Sequence, residues 1–402
     1  MKILQINAVG QFGSTGRTCC EMAEYLNATE EYRFYTAFSV GNKDQYSYRI
    51  GGKVDAKVHA LLSRLFGKQA HFSHFQTAKL LLYIRKLHPD VIHLRNLHAN
   101  YINFPMLMKF LAREDIPTVI TLHDCWPFTG KCCHYMVDGC FKWQTGCGNC
   151  PRLKKDNPSW FVDATAKLWE EKKRLFEAIP RLAVTGVSQW AVDEAKKSFL
   201  SCAKEITRIY NWIDLDVFSP KTVNSQPWWH YRQEGKKMVL GVASVWSDAK
   251  GLNGFIELAK RLGESYQLCL VGRMPTKIIL PENTLHIESI ASPLKLAELY
   301  SVADVFVTLS PEETFGKVSA EALACGTPVV CYDSTANKEL VGVGCGCVHP
   351  LGDINAIEAS VRTICAEGKA RYTDACRAFA EANFGKEDRI RDYLEVYQRV
   401  QI

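Results

Sequence analysis

The sequence predicts an α/β protein made of two consecutive halves, each built on a parallel β-sheet covered by helices on both faces. Three observations carry this. Short apolar runs alternate with helical periodicity twice along the chain. At 402 residues the chain exceeds one ordinary domain. A polar, Trp-rich stretch following residue 220 and reaching about residue 237 separates the two series. Strands that alternate with helices pair in parallel, because each helix carries the chain back to start the next strand in the same direction.

In the first half, apolar runs at 3–6, 32–38, 91–94, 118–122 and 182–187 read as buried strands, with helical patterns at 16–26, 76–87 and 164–178. In the second half the strands are expected at 238–242, 267–271, 285–287, 305–309 and 328–331, with helices at 251–262 and 293–301. A further helix is expected over 387–400. A hydrophobic share of 47% allows two real cores. The formal charge of +6 suits anionic ligands or a membrane surface and falls short of a nucleic-acid-binding composition. Residues 2–7 read directly as a strand rather than a secretory leader. No apolar run approaches the roughly 18–20 residues of a spanning helix. The expected location is therefore the cytoplasm, with peripheral contact to the inner face of the membrane. Sixteen cysteines are then expected as thiols or metal ligands.

The most informative stretch is 311–330, where Glu313 and Glu321 flank a Phe-Gly turn between a strand and a helix. Loops at the carboxyl end of parallel strands are where open α/β sheets bind nucleotides. The helix start supplies backbone N–H groups and a positive dipole end for phosphate. Glu321 falls about one turn inside that helix, able to accept hydrogen bonds from a ribose diol, while Glu313 can face a sugar. Lys250-Gly251, after the strand at 238–242, can place an ammonium on a diphosphate beside helix N–H donors.

The Glu313-x7-Glu321 segment closely resembles the Glu-x7-Glu motif of retaining glycosyltransferases of family 4, and the resemblance extends along nearly the whole chain. It implies the GT-B fold, two Rossmann-like domains facing a cleft that holds a sugar nucleotide. The implied domains are 1–210 on the acceptor side, 211–385 on the nucleotide-sugar side, and a helix at 386–402 crossing back to the first. Tyr210-Asn211-Trp212-Ile213-Asp214, then Phe218-Ser219-Pro220, resembles the family hinge, with Trp212 where a Gly is usual. On this resemblance Lys250 is the phosphate lysine, and Thr314, Phe315, Gly316, Lys317 and Glu321 bind the donor. Most members carry an Arg about five residues before that lysine. Val245 or Trp246 stands there in this chain, and Arg273, after the next strand, is read as its replacement. Gly13-Ser14-Thr15-Gly16-Arg17 resembles the family's glycine-rich acceptor and phosphate loop. Its glycine spacing is wrong for a dinucleotide fingerprint. His123, in His123-Asp124, is implied to contact the donor sugar.

No residue is an obvious covalent nucleophile, so same-face attack assisted by the leaving diphosphate is expected. Lys250, Arg273 and the amides of Gly316 and Lys317 would meet the developing charge. Asp214-Leu215-Asp216 belongs to the hinge and is not read as a metal-binding Asp-x-Asp, so no catalytic metal is expected. The partners implied are a nucleotide-sugar donor, UDP- or GDP-linked, and a glycan or lipid-linked acceptor, with no nucleic acid.

Segment 125–150 is read as an insertion with six cysteines. It resembles a subgroup of family 4 with a His-Asp-x-Trp-x-x-Thr-Gly opening and a later Gly-Cys-x-x-Cys-Pro. Cys147 and Cys150 form a CxxC knuckle that Cys132 and Cys140 can complete as a tetrahedral thiolate site. His134 is a spare ligand. Structural zinc is the leading reading, with free thiols, disulfides and an iron–sulfur centre as alternatives. Trp126, Phe128, Tyr135, Phe141 and Trp143 give the insertion little core of its own, which favours a metal staple. Residues 53–68 have the makings of a basic amphipathic helix, which would either rest on anionic lipid or bury its apolar stripe in the protein. The expected function is retaining transfer of a sugar in surface polysaccharide biosynthesis, such as capsule or lipopolysaccharide. A sugar-nucleotide epimerase on the same fold and a non-catalytic binding module are the alternatives.

Overall fold

A computed structural model describes residues 1–221 and 232–402. Most of the Trp-rich stretch therefore lies outside the described residues. The chain divides into two compact units, Met1–Ile209 with Ile390–Ile402, and Tyr210–Arg389.

The first unit carries strands β1 (Lys2–Val9), β2 (Arg33–Val40), β3 (Ser47–Arg49), β4 (Val91–Leu94), β5 (Thr118–Leu122), β6 (Leu182–Gly186) and β7 (Glu205–Arg208). They form one sheet in the order β3-β2-β1-β4-β5-β6-β7, with every pairing parallel. Helices α1 (Gly13–Asn27), α2 (Lys53–Phe66), α3 (His74–Leu87), α4 (Phe104–Arg113), α5 (Thr165–Glu177) and α6 (Gln189–Lys197) connect them. Six consecutive residues of β1 are buried, as a strand covered on both faces requires. Gln5 Nε2, buried among them, donates to Thr36 Oγ1 at 2.7 Å and to the Cys19 carbonyl at 2.9 Å.

The second unit repeats the scheme with β8 (Lys237–Val245), β9 (Tyr266–Arg273), β10 (Thr284–Ile287), β11 (Val305–Thr308), β12 (Val329–Tyr332) and β13 (Gly346–His349), in the order β10-β9-β8-β11-β12-β13. Its helices are α7 (Leu252–Leu262), α8 (Pro293–Val302), α9 (Lys317–Ala324), α10 (Ile354–Glu367) and α11 (Ala370–Phe384). In both sheets the first strand has its successors on opposite sides, β1 between β2 and β4, β8 between β9 and β11. The connections leave in opposite directions there and open a crevice at the carboxyl ends of the strands.

A last helix, α12 (Lys386–Arg399), places Ile390 onward in the first unit. Tyr397 Oη lies 2.7 Å from His93 Nδ1, and Tyr393 Oη lies 3.1 Å from Thr121 Oγ1. Arg399 pairs with Glu205 at 2.7 Å.

Two expectations change. Segment 125–150 is irregular apart from one turn of 3-10 helix at Lys142–Gln144, but it is not a knob beside the domain. Trp126, Phe128, Tyr135 and Trp143 are fully buried and continuous with the core of the first unit, and Phe141 alone of its five large aromatics is exposed. In α2 the inward residues are polar: His59 and Ser63 are buried while Val54, Val58, Leu61 and Phe66 are exposed. His59 Nδ1 meets Ser73 Oγ at 2.8 Å, and Ser73 donates on to Asp55 Oδ2 at 2.7 Å.

Candidate active site

In the second unit the site forms where β8 and β11 end. Trp246 turns inward, its indole donating to the Val271 carbonyl at 3.0 Å while its backbone N–H bonds Arg273 at 2.8 Å. One 3-10 turn, Asp248–Lys250, then reaches Gly251 at φ +75°. A Cβ there would stand 2.4 Å from the Leu309 carbonyl oxygen, so only glycine allows the turn to approach β11 this closely. Lys250 is thereby delivered to the loop after β11, where Nζ lies 2.5 Å from Glu313 Oε1. Glu313 is held by its own backbone: its N–H donates to Thr335 Oγ1 at 2.8 Å and its carbonyl accepts from Ala336 N at 3.2 Å.

Gly316, at φ +91°, opens α9 with no side-chain cap on the helix start. Thr314 and Lys317, on either side of Phe315-Gly316, are half-buried. Phe315 faces the core against Tyr210 and Phe384, with centroids at 5.9 and 5.6 Å, so its ring anchors the loop and only its backbone remains for a ligand. Glu321 is 5% exposed and its Oε2 accepts from the Tyr300 hydroxyl at 3.2 Å. Arg273 is exposed at the end of β9, in register with Val245.

In the first unit His123 follows β5 directly. Its Nε2 lies 3.3 Å from Nη1 of Arg95, the residue that follows β4. Arg95 is buried beside the Tyr393 ring, 5.7 Å from its centroid. Burial, then the adjacent guanidinium, hold the His123 pKa well below the usual imidazole range. Because Arg can only donate, Nε2 accepts and the ring proton sits on Nδ1. The neighbouring Asp124 caps its own loop, accepting from Trp126 N at 2.9 Å. Sequence reasoning missed Arg95, whose one signal was its place at a strand end beside His93. The Gly13-Ser14-Thr15-Gly16-Arg17 segment is already the first turn of α1, three residues earlier than expected, again without a side-chain cap; Ser14 and Arg17 are exposed.

Cys132, Cys140, Cys147 and Cys150 all line one cavity of about 20 Å³. Cys133 points elsewhere, its Sγ 3.7 Å from His98 Nε2.

Residues 228–382 match the family of group 1 glycosyl transferases, and residues 15–217 match glycosyltransferase family 4. WcaC of Escherichia coli K12, a glycosyl transferase assigned to colanic acid biosynthesis, is 24% identical over 355 residues, 85% of either chain. The O-antigen chain mannosyltransferase B of E. coli is 37% identical over 87 residues, 22% of this chain and 23% of its own. Among solved structures, Anabaena HepE in complex with UDP and glucose superposes with a TM-score of 0.67 at 17% identity, over 99% of this chain and all of its own. The sucrose-phosphate synthase of Thermosynechococcus elongatus gives 0.69 at 17% identity, over 99% and 98%. The two parallel sheets are those of the GT-B fold. The family 4 match alone accounts for half of the 402 residues, and the chain belongs to glycosyltransferase family 4.

Proposed function

We propose that the protein moves a sugar from a nucleoside diphosphate sugar to a glycan or lipid-linked acceptor in surface polysaccharide assembly, with retention at the anomeric carbon. The observation that carries this is the Lys250–Glu313 pair, set where the strand order of the second sheet reverses and beside the uncapped start of α9. A diphosphate is a better partner for Lys250 than a single carboxylate, so the donor draws the ammonium away and frees Glu313 for sugar hydroxyls. Lys250, Arg273 and the first amides of α9 then stabilise the departing diphosphate, which places no demand on a catalytic metal. Glu321 receives the ribose hydroxyls, with Tyr300 setting the carboxylate. His123, neutral and protonated at Nδ1, donates a hydrogen bond to the sugar. The acceptor hydroxyl attacks the face the diphosphate is leaving. Its oxygen bonds to the anomeric carbon as the carbon–phosphate-oxygen bond breaks, and its proton passes to the leaving phosphate oxygen.

HepE binds UDP-glucose, which makes UDP the first nucleotide to test and GDP the second. No helix of the described residues is long and apolar enough to cross a membrane. The outward apolar stripe of α2, with Lys53, Lys57 and Arg64 along one flank, supports peripheral contact with an anionic inner leaflet.

Thermal-shift titration with UDP, GDP and ADP and their sugars should raise the melting temperature for one base, since a ligand bound only to the folded state stabilises it. Incubating that donor with lipid-linked acceptor should give an α product from an α donor. An inverted product would overturn the retaining reading. Conversion of the donor's sugar without acceptor would favour the epimerase.

A further inference from the structure

We propose that Cys132, Cys140, Cys147 and Cys150 bind one zinc ion as thiolates, a structural site that braces the loop following His123. No disulfide exists among the described residues. The structure sorts the six cysteines of this segment: Cys125 is buried in the core and Cys133 turns to His98, while the remaining four share a cavity of single-ion size. Cys132 and Cys150 have their sulfurs 3.4 Å apart. That is far beyond a disulfide bond, and near the edge of about 3.8 Å of a tetrahedron with Zn–S bonds of about 2.3 Å. Gly130 N–H donates to Cys147 Sγ at 3.3 Å, the kind of outer contact that favours a thiolate. Binding requires the Cys140 and Cys147 sulfurs to close across the cavity.

Charge supplies an independent argument. Lys131 and Lys172 are both 2% exposed. Lys131 Nζ donates to the carbonyls of Arg152 and Lys155, each at 3.0 Å. Lys172 Nζ donates to those of Trp126 and Thr129 at 2.6 and 2.9 Å. Neither ammonium has a carboxylate within ion-pair distance among the described residues. Two buried amines beside the cysteine cavity favour a negative neighbour. Four thiolates around a divalent zinc carry a net charge of two minus, the sign those amines favour. The irregular backbone of the segment gains in cross-links what it lacks in helix or strand.

A second cluster lies close by: His98 Nε2, Asp124 Oδ2 and Cys133 Sγ come within 4.8 Å of one another. It offers one imidazole, one carboxylate and a single thiol, whereas four thiolates form the closed set that structural zinc takes, so the ion is assigned to the four cysteines.

The full chain, purified under reducing conditions, should contain about one zinc per molecule by elemental analysis. Metal should fall in Cys147→Ser and Cys150→Ser and persist in Cys133→Ser. The wild-type chain supplies a readout that does not depend on a variant folding. Exchange of zinc for cobalt(II) should give sulfur-to-cobalt charge-transfer bands with the intense visible absorption of a tetrahedral thiolate site. A chelator should expose four additional thiols to a thiol reagent. Metal-free protein would overturn the proposal. So would an intact mass lowered by the two hydrogens of a disulfide, or metal that follows Cys133 and His98 rather than Cys150.

Discussion

Lys250 and Glu313 satisfy one another at 2.5 Å, and this mutual pairing sets what each substitution should do. On the proposed function, Lys250→Ala removes one charge-assisted bond to the diphosphate, worth about 1.5–3 kcal/mol, so kcat/KM should fall roughly 10- to 150-fold. Glu313→Ala frees the ammonium, so nucleotide affinity should hold while turnover falls. Calorimetric affinities beside steady-state rates separate the two, and unchanged rates in both variants would remove this site from the chemistry. Arg95 offers a sharper test. Burial first and the Arg95 charge second keep the His123 imidazole neutral. Arg95→Met should raise the His123 pKa and shift the acid limb of the rate profile to higher pH. A merely structural Arg95 would lower the rate at every pH without moving that limb.

At the scale of elements, α2 departs most from its expected role. An ordinary surface helix turns its apolar stripe inward, whereas here Val54 is 76% exposed and His59 is buried. Phe161 is likewise 76% exposed, and the Trp160 N–H beside it donates to the Arg64 carbonyl at 2.8 Å, which extends the patch with an aromatic pair suited to a lipid interface. Sedimentation with vesicles rich in phosphatidylglycerol should capture the protein, and phosphatidylcholine vesicles should not. Each basic residue near an anionic surface is worth about 1 kcal/mol, so Lys53→Gln and Lys57→Gln should each weaken binding about fivefold. Leu61→Asp should weaken it without loss of fold, because surface changes stay within about 0.5 kcal/mol of stability. Equal binding to neutral vesicles, or a dimer that Leu61→Asp dissociates, would mean that something other than anionic lipid covers the stripe.

For the whole molecule, three imidazoles with lowered pKa values predict acid sensitivity. Burial first, then His71 and His74, lower the His59 pKa to about 4, and His93 and His123 lie well below their usual range. Each is neutral in the folded chain and titrates near 6.5 when unfolded. The unfolded state therefore binds more protons below that pH, and stability present above about pH 6.5 is lost as pH falls towards 4. His59 alone accounts for on the order of 2–3 kcal/mol across that window. Urea midpoints should decline steadily between pH 7 and pH 4.5, and His59→Gln should flatten the slope. A slope unaffected by that change would assign the acid sensitivity elsewhere.

The two parallel sheets were legible in the chain because the buried strands are short, mainly apolar runs that alternate with helical periods. Strands β3, β7 and β13 escaped notice, being short and only partly buried, with no apolar run to mark them. Glu313, Lys250 and His123 were legible because glycines and strand ends put them where ligands bind in such sheets. Only tertiary structure could bury Arg95 under His123, set Tyr300 against Glu321, or turn the Phe315 ring to the core, since these contacts join residues of different elements. It also shows that Cys132 and Cys133, which adjoin in sequence, point to different neighbours, Cys150 and His98. The direction of α2 was likewise open from sequence. Its 3.6-residue period defines an apolar stripe but does not say which side meets the protein, and the polar anchorage of His59 through Ser73 to Asp55 settles that the stripe faces out.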